Sequence, residues 1–214
     1  MGIALEEYDV LNKGERRPPD TPPSPKLQDR SPRLTLEKAD DLAAGRIFEL
    51  IDGRIVYKMA DAKHSRTQAR LCAKLVNYSE NNAIGQVFSE FTHRLWPENP
   101  HESRVPDLSI ILNENLKPEE KYAQRAPDIA VEIISKYDYW SDLFEEANLY
   151  FETGGREVWL IDPYQQVAMI ITPSARRWEE QELASPELLP GFRAKLQDLF
   201  TWPAATTESG KIRG

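Results

Sequence analysis

The sequence predicts a mixed α/β domain, and three observations carry that prediction. Segments with helical apolar spacing, at 64–81 and 139–153, are interleaved with short runs rich in β-branched residues. Asp52-Gly53 separates two such runs in the manner of a tight hairpin turn. From residue 128 onward the order is strand, helix, strand, which gives a right-handed crossover where the two strands lie parallel.

In chain order, Thr35 is placed to cap a short helix that Gly45 closes, with Lys38 where a Glu would have completed a capping box. Strands at 47–50 and 54–59 flank the Asp52-Gly53 turn. In the helix at 64–81, Leu71, Leu75 and Tyr78 fall on one face. Strands follow at 85–96 and 107–112, and a buried strand at 128–134. The helix at 139–153 ends on Gly154-Gly155, and 157–162 with 167–172 forms a hairpin pair. Pro18, Pro19, Pro22, Pro23, Pro25 and Pro32 crowd the first stretch, which lacks a sustained apolar period, so residues 1–33 read as a disordered or extended arm. The domain then runs over 34–202, and 203–214 is a small, polar, flexible tail.

No apolar run approaches the roughly 18 residues that span a bilayer, and no basic stretch followed by an apolar core opens the chain. Cys72 is the single cysteine, so no internal disulfide forms, and a cytoplasmic location is expected. The net charge of −8 argues against a broad basic face for nucleic acid. Between Glu132 and Asp162, eight acidic residues face only Lys136 and Arg156. Such density is either a solvated helix face, the default, or a metal site whose cations offset the charge.

Two segments share one design. Val105-Pro106-Asp107 and Ala126-Pro127-Asp128 each place an acid after proline at the start of an apolar strand. Glu132 is more unusual, a carboxylate inside Ile129-Ala130-Val131-Glu132-Ile133-Ile134, sharing a face with Ala130 and Ile134. Buried unpaired, it is costly, so it needs a cation, a donor or an edge position, and an edge strand or a salt bridge is the plainer reading. Asp128 lies on the same face but about 13 Å along the strand, too far to share an ion. Asp107, on a neighbouring strand about 4.8 Å away, comes close enough to share one hard cation with Glu132. Two carboxylates, a backbone carbonyl and waters are a usual way to hold magnesium for phosphodiester hydrolysis. Cys72, beside Leu71 and Leu75, reads as core, the five tryptophans are not interleaved with Lys and Arg, and His93 and His101 lack metal-ligand spacing.

Taken together, Glu49-Leu50-Ile51-Asp52-Gly53-Arg54-Ile55-Val56, His64, Val105-Pro106-Asp107, Pro127-Asp128 with Val131 to Ser135, Asp142, Tyr150 to Gly154, Val158 to Pro163 and Leu189-Pro190-Gly191 resemble, in order and spacing, the Uma-two family. That family comprises restriction-endonuclease-like proteins of bacteria in the PD-(D/E)XK nuclease superfamily, and the resemblance runs from about Leu34 to Phe200. It implies a restriction-endonuclease-like mixed β-sheet flanked by helices, with a metal-dependent site at one end. Asp107 and Glu132 take the places of the family's metal ligands, with the Ile133 carbonyl as the backbone ligand and Mg2+ or Mn2+ as the ion. Glu49 and His64 match an acidic residue and a histidine that line the site, against the simpler roles of an Arg partner and a helix cap. The superfamily's lysine, two residues after the glutamate, is here Ile134, and the family's helix lysine is here Glu146. Glu146 would serve as general base or further ligand, or mark lost catalysis, and Lys136 is a candidate substitute for the lysine. The expected activity is metal-dependent endonucleolytic hydrolysis of DNA, with a homodimer as the simplest way to cut both strands. The alternatives are a noncatalytic nuclease-fold module that binds or assembles with partners, and an unrelated soluble α/β protein.

Overall fold

A computed structural model of the protein describes residues 32–117, 121–136 and 138–202. The expected tail, and all of the expected arm except Pro32 and Arg33, lie outside those residues. The elements are α1 (Leu36–Ala43), β1 (Phe48–Ile51), β2 (Arg54–Tyr57), α2 (Ala62–Asn82), β3 (Gly85–Ser89), β4 (Leu108–Leu112), β5 (Ile129–Ile133), α3 (Trp140–Glu152), β6 (Glu157–Asp162), β7 (Val167–Ile171), β8 (Arg176–Glu179), β9 (Glu182–Leu183), β10 (Ala194–Lys195) and α4 (Leu196–Phe200). Among the described residues, no helix is long and apolar enough to cross a membrane.

The β1–β2 hairpin forms as its turn residues require: Asp52 and Gly53 both take positive φ, 53° and 74°, the backbone that matches the twist of paired strands. Gly53 is also needed for space, because a Cβ there would lie 2.6 Å from that of Arg33. Helix α2 starts two residues before the expected His64, because the Asp61 carboxylate accepts hydrogen bonds from the N–H groups of Lys63 and His64. Its buried stripe is His64, Thr67, Leu71, Leu75 and Ser79. The strand expected over 85–96 stops at Ser89, because Glu90 adopts φ of 52° and turns the chain out of the ladder.

Six strands form one mixed sheet in the order β3-β4-β5-β6-β7-β8. Only β5 and β6 run parallel, joined through α3, and the other neighbours are antiparallel. Alternation along the strands divides the core between the two faces. Leu108, Ile110, Val131, Ile133, Trp159 and Ile161 pack with Leu71 and Leu75 of α2, whereas Ala130, Ile134, Val158 and Leu160 pack with Leu143, Ala147 and Tyr150 of α3. Glu132 therefore belongs, by alternation, to the face that α3 covers. This is the mixed sheet flanked by helices that the sequence predicts.

Candidate active site

Asp107 and Glu132 meet because of strand register. In the antiparallel β4–β5 pair Leu108 lies opposite Val131, so one step outward sets Asp107 opposite Glu132. Both are buried. One oxygen of Asp107, Oδ2, accepts from the Ile133 N–H at 2.6 Å and from His64 Nε2 at 3.0 Å. Since a carboxylate only accepts, His64 donates to it from Nε2. The other oxygen, Oδ1, lies 3.2 Å from the Lys58 ammonium. Glu132 is held in the same divided way: Oε1 accepts from the Tyr150 hydroxyl at 3.0 Å, and Oε2 lies 3.2 Å from Lys58. Asp107 Oδ1 and Glu132 Oε2 are thus no more than about 6.4 Å apart, because both are 3.2 Å from one nitrogen.

The surrounding residues complete the cluster. Lys58 also donates to the Val105 carbonyl at 2.7 Å, and the Val105 N–H donates to Glu49 Oε1 at 2.9 Å, so Glu49 fixes the chain just before Pro106-Asp107. Glu146, one turn before Tyr150 on α3, lies 3.4 Å from the tyrosine hydroxyl, whose single proton goes to the nearer Glu132. Asp107, Glu132, Glu146, Glu49 and His64, all read from the sequence as site residues, are therefore together. Ile133 reaches the site through its N–H, to Asp107.

The Lys58 ammonium is outnumbered by the carboxylates around it, with Arg104 as a further positive charge acting on Glu146. Burial, and then repulsion from Glu146, Asp107 and Glu49, pushes the Glu132 carboxyl well above its ordinary range against the pull of Lys58. Burial, and then Glu49, raises Glu146 to about 7. Burial also works to raise Asp107, but the His64 hydrogen bond, the Lys58 and His64 charges and the Ile133 N–H outweigh it and hold that carboxyl low. For Lys58 burial works downward, and Glu132, Asp107, Glu49 and Glu146 together hold the ammonium well above its usual value.

Among the described residues, no group of three or more His, Cys, Asp or Glu is arranged to hold a metal ion. The donor set nonetheless suits magnesium or manganese, which need only one or two carboxylates and complete their shells with water. Asp107 Oδ1 and Glu132 Oε2 are hard oxygen donors already gathered on one cation, and Ile133 is adjacent in the chain.

Two residues escaped the sequence reading. Lys58, which the sequence reading left without a role inside the strand at 54–59, sits just past β2 and touches both carboxylates. Tyr150 was read as part of the family pattern but given no role, and its hydroxyl orients Glu132. Other candidates stay apart from the site. Asp128, although it follows proline like Asp107, bonds the Leu112 N–H and the Asn115 amide. Cys72 is half-buried against the α2 core, and burial pushes its thiol up, away from reactivity. His93 bonds the Arg125 carbonyl and Ser109, and His101 bonds the Leu34 carbonyl.

A mixed sheet flanked by helices is the restriction-endonuclease-like fold, and the paired carboxylates lie just before β4 and within β5. The family model Uma2, described as "Putative restriction endonuclease", matches residues 35–200. The chain belongs to the Uma2 family. Its fold is similar to the crystal structure of "a putative nuclease belonging to DUF820" from Anabaena variabilis, with a TM-score of 0.67 and 22% identity over 78% of this chain and 97% of that one. No curated protein matches the chain.

Proposed function

We propose that the protein is a metal-dependent endonuclease that hydrolyses DNA phosphodiester bonds. The observation that carries this reading is the divided use of the two carboxylates: one oxygen of each is tied to the protein, and the other faces a shared cation. Asp107, Glu132 and the Ile133 carbonyl would hold Mg2+ or Mn2+. When bound, the ion supplies Lewis acidity, activating water and offsetting charge on the phosphate.

The protein's own residues perform the rest. His64 and the Ile133 N–H fix the Asp107 carboxylate, Tyr150 fixes that of Glu132, and Glu49 holds Val105 and so the approach to Asp107. Glu146, beside the Tyr150 hydroxyl that binds Glu132, is the carboxylate placed to take a proton from the attacking water. The water oxygen bonds phosphorus, the phosphorus–oxygen ester bond breaks, and the leaving oxygen is protonated from solvent. Two symmetry-related copies would give the two cuts that a duplex needs. One observation favours a second reading, a noncatalytic nuclease-fold module that binds a partner: Glu146 stands where the family's helix lysine is expected.

Calorimetry with Mg2+ and Mn2+, paired with nicking of supercoiled plasmid, separates the two. The wild type is expected to bind one ion per site and to nick DNA, and Glu132→Gln to do neither while remaining folded. A wild type that neither binds ion nor cuts would leave the noncatalytic module as the account.

A further inference from the structure

Lys58 is the site residue for which the family resemblance gives no role. Its ammonium satisfies three acceptors at once: Asp107 Oδ1 and Glu132 Oε2, each at 3.2 Å, and the Val105 carbonyl at 2.7 Å. At the position two residues after Glu132, where the superfamily carries lysine, Ile134 is buried in the apolar cluster beneath α3. On α3 itself the expected lysine is Glu146, whose charge acts on Lys58. The cation of the site therefore comes from just past β2 and not from β5 or α3.

The side chain of Lys58 is 26% exposed, against 4% for Asp107 and 7% for Glu132, so of the three it is the one open to solvent. A phosphodiester approaching from solvent is repelled by the carboxylates and meets the ammonium first.

We propose that Lys58 is the catalytic cation of this nuclease, supplied from the end of the β1–β2 hairpin in place of the strand or helix lysine. The proposal rests on the nuclease reading above. Lys58 contacts the non-bridging oxygens of the scissile phosphate and stabilises the charge that builds there as the water oxygen adds and the ester oxygen leaves; it transfers no proton. The oxygens that hold Lys58 are also those offered to a metal ion. Ion and ammonium would therefore compete for the carboxylates, and Lys58, released from them, would turn outward to the phosphate.

That competition separates a catalytic cation from a structural one. Lys58→Met is expected to tighten Mn2+ binding at least about fivefold by calorimetry, since a positive charge a few ångström from the ion is removed. The same variant should lose plasmid nicking by about 100-fold or more. A structural lysine gives the opposite metal result, because its loss disorders the carboxylates and weakens binding. The charge exchange Lys58→Glu with Glu146→Lys keeps the net charge and serves as the second variant should Lys58→Met fold poorly. It is expected to nick at least about 10-fold faster than Lys58→Glu alone. Wild-type nicking by Lys58→Met, weakened Mn2+ binding by that variant, or no gain from the exchange would overturn the proposal while the nuclease reading stands. A wild type that neither binds Mn2+ nor nicks removes both.

Discussion

Replacing Asp128 with alanine is expected to lower the melting temperature by about 10 °C while leaving the Asp107–Glu132 site able to bind an ion. Asp128 is fully buried just before β5, where Oδ2 accepts from the Leu112 N–H at 2.9 Å and Oδ1 from the Asn115 side-chain amide at 2.8 Å. Arg125 stands at 3.5 Å but is partly exposed, so water can replace that contact. Alanine leaves the Leu112 N–H without a partner in the interior, and such an orphaned donor costs about 1–3 kcal/mol. The half-buried Asn115 amide adds about 1 kcal/mol, for a total of roughly 2–4 kcal/mol. In a domain of this size each kcal/mol moves the midpoint by about 2–4 °C. Differential scanning calorimetry reads the midpoint, and Mn2+ titration well below it reads the site. A loss under about 3 °C would refute the hydrogen-bond argument. Loss of Mn2+ binding in a folded variant would refute the separation of Asp128 from the metal ligands.

Two further outcomes follow from buried positions. His93 is buried with Nδ1 donating to the Arg125 carbonyl and Nε2 accepting from Ser109, and burial holds its pKa at about 4 against 6.5 when free. The unfolded chain takes the proton first, so stability should be full above pH 6.5 and fall by roughly 3 kcal/mol as the pH drops to about 4; urea titrations across that range should show a much smaller fall for His93→Gln. Gly85→Ala should destabilise by about 2–3 kcal/mol, because its Cβ would lie 2.3 Å from the Ile111 carbonyl oxygen across the β3–β4 pair, and an unchanged urea midpoint would contradict this.

The fold was legible where local chemistry and burial agree. The Asp-Gly turn specified its hairpin, the α2 stripe followed the expected spacing, and the span of β6 matched residue for residue. The edge of the sheet was not legible. The β8 strand, Arg176-Arg177-Trp178-Glu179, is almost wholly exposed and carries no apolar alternation, and β9 and β10 have two residues each. Such strands exist because a neighbour offers free backbone groups, which no local pattern records. The early end of β3 hangs on the single positive φ of Glu90, a residue type that seldom takes that backbone.

The site was legible in its carboxylates and illegible in its cation, and one physical cause accounts for both. A carboxylate inside an apolar strand is anomalous in the sequence itself, because burying it unpaired is costly, so Glu132 and its cross-strand partner Asp107 announce a site. A lysine just past a strand is ordinary, because its long stem lets the charge reach water from almost any backbone position. That same stem lets the ammonium reach into a site from an element outside the main sheet, and here Lys58 does so from the β1–β2 hairpin. The missing lysine of the superfamily pattern was therefore an observation about backbone position and not about charge. Counting the charges that the buried carboxylates require, instead of asking what occupies position 134 or 146, would have directed attention to the nearest lysine on the hairpin that carries Glu49.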